Sequence, residues 1–245
     1  MAEWTKERYA AFLEALWQER DEEYREFHER LLCSSLPVIG LRIPLLRKAA
    51  AQLAKEDGAG FLQFCGKDTY EERLLYGLVA AAMPLSYEAF LPYCDHYTEH
   101  LVENWAHCDV FCSSIKKRCK GREADFFAHL ERYLSSENPW AVRVGIVMML
   151  NQYLTSEYIE QVLERVDRIH SGQYYVQMGQ AWLLATAWVK EREHCLAYLS
   201  HHHLEEETFR KFVQKACESY RVSAADKEYL RSLKKGKKAC TAKEK

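Results

Sequence analysis

Apolar residues recur along this chain at helical spacing. Over residues 5–31 they fall at Tyr9, Phe12, Leu13, Leu16, Trp17, Tyr24, Phe27 and Leu31, a long amphipathic stretch with charged residues between them. A break follows at Ser34-Ser-Leu-Pro37 and another at Gly40. Beyond it, helix-start signals repeat. Asp68-Thr-Tyr-Glu71 has the form of a capping box with Glu at the third helical position. Asn138-Pro139 offers a cap followed by a proline suited to the first turn, and Ser86, Ser156 and Ser223 are further caps.

These signals set a period. The first helices of successive pairs are predicted to begin near Tyr70, Asn104, Asn138, Gln173 and Thr208, and the second helices near Ser86, Arg122, Thr155 and Glu191. A period of about 35 residues with two helices in each marks an α-helical repeat array. No repeated residue signature accompanies it, which disfavours TPR and favours a HEAT-like solenoid. One helix pair cannot bury its apolar face alone, so neighbours are expected to stack into an all-α superhelix with a concave inner face. The expected organisation is a single domain over residues 1–235 and a flexible basic tail at 236–245.

The register also places polar residues. Asp109, Arg143 and Met178 fall at equivalent places in three consecutive first helices, five residues on from each predicted start. Trp105 lies one turn before Asp109, and Trp182 one turn after Met178. An acid, an arginine and two large rings along one side of the array would make a site. Bland readings stand beside this one. Most tryptophans are core residues, Asp109 and Arg143 could form a salt bridge between repeats, and Tyr174, Tyr175, Trp182 and Trp188 could all be core aromatics.

Composition narrows the classes. The chain has 245 residues, 48% hydrophobic and 29% charged, enough to build a packed core. Ten glycines and five prolines are too few for a β fold with many tight turns. The first thirty residues hold nine acids and five Lys or Arg, with no apolar run of a signal peptide. The longest uncharged stretch, Ile169 to Val189, is interrupted by histidine, glutamines and glycines, so no membrane span is expected and the chain reads as cytoplasmic. Nine cysteines, without a C-x-x-C pair, read as reduced thiols. Cys108, Cys112 and Cys119 with His107 invite a zinc reading, but Cys108 to Cys112 is one helical turn, and no metal is expected. No nucleotide loop, Ser-His-Asp order or H-E-x-x-H motif is present, and no cofactor is expected.

Charge is uneven. Residues 227–245 carry a net of +6, which leaves −8 on the first 226. Any basic surface in the body must therefore be concentrated on one face. The strongest basic cluster is Lys116-Lys117-Arg118 with Lys120 and Arg122, placed on the C-terminal half of the helix that carries Asp109. Arg42, Arg47 and Lys48, around Pro44, are either solvated helix-start charges or phosphate contacts at a helix N-terminus. His201-His202-His203 reads as a solvated turn, because three consecutive side chains point to different faces.

Several segments resemble the AlkD family of DNA alkylation repair proteins. They are Gly40-Leu-Arg-Ile-Pro44-Leu-Leu-Arg47, Asn104-Trp105-x-x-x-Asp109, Trp140-Ala-Val-Arg143, Tyr175-Val-Gln-Met-Gly-Gln-Ala-Trp182 and Glu218-Ser-Tyr-Arg221. Each motif is short, and it is their order and spacing over roughly residues 5–235 that carries the resemblance. It implies a stack of HEAT-like repeats that works on double-stranded DNA without metal; a purely helical solenoid is separately expected to be a monomer. It further implies a glycosylase that excises N-alkylated purines, such as 3-methyladenine and 7-methylguanine, without flipping the base. Carried over, Asp109 is the catalytic carboxylate, Trp105 and Trp182 pack against the deoxyribose, and Arg143 holds the DNA backbone, with Arg42, Pro44, Arg47, Lys48 and Tyr175 as further DNA contacts. The chemistry is coherent, since an alkylated purine is already a cationic leaving group. Its departure leaves positive charge on the sugar, which a carboxylate and π faces stabilise. Two departures weaken the grip on DNA. Met178 stands where the family commonly has lysine, and Leu183-Leu-Ala-Thr-Ala187 lacks an arginine that often follows the last tryptophan. Some family members keep the scaffold without the activity, so a non-catalytic module binding DNA or a protein is the alternative.

Overall fold

The computed structural model describes residues 3–32 and 34–241, with side chains as far as residue 233. Its elements are α1 (Lys6–Gln18), α2 (Glu22–Leu32), α3 (Ile43–Phe64), α4 (Tyr70–Ala82), α5 (Tyr87–His100), α6 (Trp105–Ile115), α7 (Glu123–Leu134), α8 (Pro139–Gln152), α9 (Ile159–Asp167), α10 (Tyr174–Lys190), α11 (Arg192–Leu199), α12 (Glu206–Glu218) and α13 (Ala224–Thr241). A single 3₁₀ turn, Lys116–Cys119, follows α6. The fold is all-α, with no strand among the described residues. None of its helices is long and apolar enough to cross a membrane.

The predicted starts correspond closely to the observed ones because the caps do the work the sequence suggested. The side chains of Ser86, Asn104 and Asn138 each accept a backbone N–H from the first turn of α5, α6 and α8, at 3.2, 2.9 and 2.9 Å. Pro139 occupies the start of α8. Three details differ. The stretch over residues 5–31 divides into α1 and α2, because Asp21 caps a new start by accepting the Tyr24 N–H at 2.9 Å. α9 begins at Ile159 without the cap expected at Ser156, after a turn in which the Thr155 carbonyl accepts the N–H groups of Tyr158 and Ile159. The third is the capping box, which belongs to Thr69 and Glu72, one residue on from the predicted pair.

That one-residue shift frees Glu71 for the interior. It is 1% exposed and accepts three successive backbone N–H groups, from Ile39 at 2.8 Å, Gly40 at 2.7 Å and Leu41 at 3.1 Å. Burial pushes its carboxyl above the usual range, while these three bonds pull it back. Gly40 has φ +98°, and a β-carbon there would lie 2.7 Å from the Arg25 side chain and the Asp21 carbonyl. Glycine is therefore required to bring the chain past α2 and into α3.

The chain groups into two compact units, residues 1–126 and 127–245. In the first, α4 packs against α3, α5 and α6. Every residue from Leu74 to Ala81 is buried, as suits a helix apolar on all sides. In the second, α10 packs against α8 and α12, with α9 and α11 beside it and α13 on α12. Ten consecutive residues of α8, Ala141 to Leu150, are buried. The basic tail expected at 236–245 lies outside the described side chains; the backbone of α13 is described to Thr241, and residues 242–245 lie outside the described residues.

Candidate functional site

Asp109, Arg143 and Met178 are each the fifth residue of their helix, α6, α8 and α10. Equal register does not give equal exposure. Asp109 and Met178 are half-buried, whereas Arg143 is 5% exposed, because α8 is covered on all sides over that turn. Two of the four candidates, Trp105 and Asp109, belong to the first unit, and Arg143 and Trp182 to the second.

In the first unit, Asn104 sets the start of α6 and so sets Trp105. Asn104 is buried and accepts the His107 N–H, which places Trp105 as the first helical residue. The half-buried indole donates its Nε1–H to the carbonyl oxygen of Leu31 at 3.2 Å. This bond joins α6 to the last turn of α2 and fixes the plane of the ring. Asp109 follows one turn later on the same face. Ser113 comes one turn after that, and here Arg47 arrives from α3. Its guanidinium donates to Ser114 Oγ at 2.9 Å and to Ser113 Oγ at 3.1 Å. A carboxylate thus lies on a helix face between a fixed indole and a hydrogen-bonded guanidinium. The two serines were not singled out from the sequence; their signal was only their spacing of four and five residues from Asp109.

The other predicted DNA contacts of this unit vary in freedom. Arg42 is paired with Asp21 at 2.6 Å and lies over the Tyr24 ring, 4.9 Å from its centroid. Pro44 is in the first turn of α3 and exposed, as is Lys48. The basic cluster at 116–122 separates by role. Lys116, Lys117 and Lys120 are exposed. Arg118 folds back to donate to the carbonyls of Ala81 and Leu85, at 2.9 and 3.0 Å, and Arg122 bridges Glu88 and Asp125. This run does not continue α6, as the sequence suggested, but forms the 3₁₀ turn after it.

His107, Cys108, Cys112 and Cys119 are all fully buried. His107 is a core histidine with a full set of partners. Its Nε2 contacts the Tyr70 carbonyl at 2.9 Å, its Nδ1 faces Asn104 Nδ2 at 3.3 Å, and its ring stacks on Tyr70. Those contacts suit a neutral imidazole protonated at Nε2. Burial holds its pKa down to about 4. No group of three or more His, Cys, Asp or Glu among the described residues is placed to hold a metal ion.

In the second unit, Arg143 Nη1 donates to the Tyr175 carbonyl at 2.8 Å, and Tyr175 packs its ring against Trp140 at 5.1 Å. Along α10 the exposed Tyr174 and Trp182 and the half-buried Met178 and Thr186 form one narrow stripe at intervals of four residues, and apart from half-buried Tyr175 everything between them is buried. Trp182 is 37% exposed, while Trp188 on the same helix is 2% exposed. The core reading of aromatic residues therefore holds for Trp188 and fails for Trp182. His203, in the histidine turn, donates its backbone N–H to Asp167 and sets its ring beside the same carboxylate at 2.8 Å.

The family model described as DNA alkylation repair enzyme matches residues 6–218, a span that includes all four candidates. No curated protein matches the chain.

Proposed function

The chain belongs to the family of DNA alkylation repair enzymes, and on that premise we propose that it is a glycosylase that removes N-alkylated purines from duplex DNA. The observation that carries this reading is the pairing on α6 of a half-buried carboxylate, Asp109, with an indole, Trp105, whose plane is fixed by Leu31.

Asp109 faces the positive charge that grows on the deoxyribose as the cationic base leaves, and it orients the attacking water. Trp105 presents a π face to the same charge, a role that the resemblance assigns to Trp182 as well. An alkylated purine needs little protonation to depart, so no general acid is required on the base side. The reading includes HEAT-like repeats, a lesion left in the stack rather than drawn into a pocket, and action in the cytoplasm. Its test is excision of 7-methylguanine from a methylated duplex. Wild type should release the base, and Asp109→Asn should lower the rate by about 10²-fold or more, the scale seen when one electrostatic stabiliser is removed. Equal rates for the two would refute the role of Asp109.

One observation favours a second reading, a non-catalytic DNA-binding or protein-binding module. Arg143, the residue expected on the DNA backbone, is buried, and it donates to Tyr175 within the protein. Intact lesions after incubation with excess folded wild-type protein would decide for that alternative.

A further inference from the structure

The first helices α6, α8, α10 and α12 carry Asp109, Arg143, Met178 and Arg210 at the equivalent fifth position. Arg210 meets Met178, the fifth residue of α10, across a cavity of about 200 Å³. The cavity is lined by Tyr174 and Met178 from α10 and by Arg210, Lys211, Gln214, Lys215 and Glu218 from α12. Three cations from one helix therefore line a pocket whose α10 wall, Tyr174 and Met178, carries no charge.

The charges there are not cancelled. Glu207 accepts from both Arg210, at 2.6 Å, and Lys211, so one carboxylate is shared by two cations. Glu218 accepts the amide of Gln214 at 2.9 Å. Lys215 is half-buried and has no ion-pair partner among the described residues. Lys211 is 9% exposed and lies over the Tyr174 ring, 5.2 Å from its centroid, so its position is fixed from two sides. Counting both carboxylates against the three cations leaves one net positive charge beside a half-buried pocket.

The place of this pocket on α10 suggests what it holds. Tyr174 and the half-buried Met178 share one stripe with Trp182, two turns and one turn before it. That is roughly 6–12 Å along the axis, a distance of two to four base steps at about 3.4 Å each. We propose that Arg210, Lys211 and Lys215 form a phosphodiester subsite for the DNA backbone, supplying from α12 the contact that Met178 does not make. The inference takes its DNA partner from the reading above but requires no catalysis. Lys215 is the ligand with charge to give; Lys211 and Arg210, already tied to Glu207, shape the pocket and add field.

The test uses the full chain and an undamaged duplex, so that a failure of glycosylase activity does not affect it. Affinity is measured against salt for wild type, Lys215→Gln and Met178→Lys, with thermal melting to confirm folding. Removing one phosphate contact should lower the slope of log affinity against log salt by about 0.9, and adding one should raise it by a similar amount. The same duplexes are then made with a single neutral methylphosphonate at successive backbone positions. One position should weaken wild type but have no further effect on Lys215→Gln. Unchanged slopes in both variants, or no methylphosphonate position coupled to Lys215, would overturn the subsite. Loss of base excision with these couplings intact would overturn only the catalytic reading.

Discussion

The indole nitrogen of Trp105 donates to the main-chain oxygen of Leu31 at 3.2 Å, across 74 residues of sequence. A side chain at the first position of a helix would otherwise rotate freely at the protein surface. Here a neighbouring helix end sets its plane, and the carbonyl it satisfies belongs to the last turn of α2, where carbonyls have no partner within the helix. Replacing Trp105 with Phe keeps a ring but removes the donor. The hydrogen bond is worth about 1 kcal/mol net. If the ring plane matters, base excision should therefore fall by roughly fivefold, with Trp105→Ala lower still. Single-turnover rates on methylated DNA measure this, and equal rates for wild type and Trp105→Phe would show that ring orientation is unimportant.

Trp182 and Trp188 lie on one helix but differ in exposure, 37% against 2%. Trp188→Ala should cost about 3–5 kcal/mol of stability, the usual price of emptying a core aromatic site. Trp182→Ala should cost less, about 1–2 kcal/mol, because more than a third of the residue is already in water. Its loss should appear instead in excision or DNA affinity. Urea unfolding of the two variants, followed by activity assays, separates these effects. A Trp182→Ala protein as unstable as Trp188→Ala would return Trp182 to the core.

Glu71 holds three backbone N–H groups in a buried site. Glu71→Ala would leave all three without their acceptor and should destabilise the protein by about 3–5 kcal/mol. Glu71→Gln keeps the shape and one carbonyl oxygen, so its cost should be smaller, about 1–3 kcal/mol. The order Ala worse than Gln is the result to check by denaturant titration. The reverse order would mean that the N–H groups find other partners.

His107 should make stability fall in mild acid. Its pKa in the fold is about 4, below its ordinary 6.5, so between those values the unfolded chain binds the extra proton. The contribution is fully present above pH 6.5 and is lost as pH falls towards 4, up to roughly 3 kcal/mol. Glu71 acts in the opposite sense. Its raised carboxyl favours the protonated fold, so its contribution is present at low pH and lost as pH rises above the ordinary carboxyl value. Comparing wild type with His107→Gln isolates the histidine. The stability gap between them should narrow from pH 7 to pH 4, and a constant gap would mean that His107 is not held neutral by burial.

Arg143 should behave as a structural anchor within the second unit. Arg143→Ala removes a buried donor to the Tyr175 carbonyl and the packing of its long stem, and should cost about 2–4 kcal/mol. If the residue also reaches DNA, Arg143→Lys should fold well but lose affinity for an undamaged duplex. Melting curves and DNA titrations of both variants separate the anchor from the contact.

Much of the architecture was legible in the chain because it is local. Caps such as Ser86, Asn104 and Asn138 act within one turn, and the spacing of apolar residues follows from the helix itself, so the helix starts and the all-α class could be read directly. The same register correctly placed Asp109, Arg143 and Met178 at one position in three helices. It could not say which of them meets solvent. That depends on how many neighbours cover each helix: α8 is enclosed around Arg143, while α6 and α10 each leave an open stripe. The capping box moved by one residue for a similar reason, since only the packed loop at Ile39 to Leu41 offers Glu71 three N–H groups inside. The sequence by itself determined the helices, their period and the residues capable of chemistry. Only the tertiary structure decided which side chains are free to use it, because exposure and partners are properties of the neighbours a helix acquires and not of its own pattern.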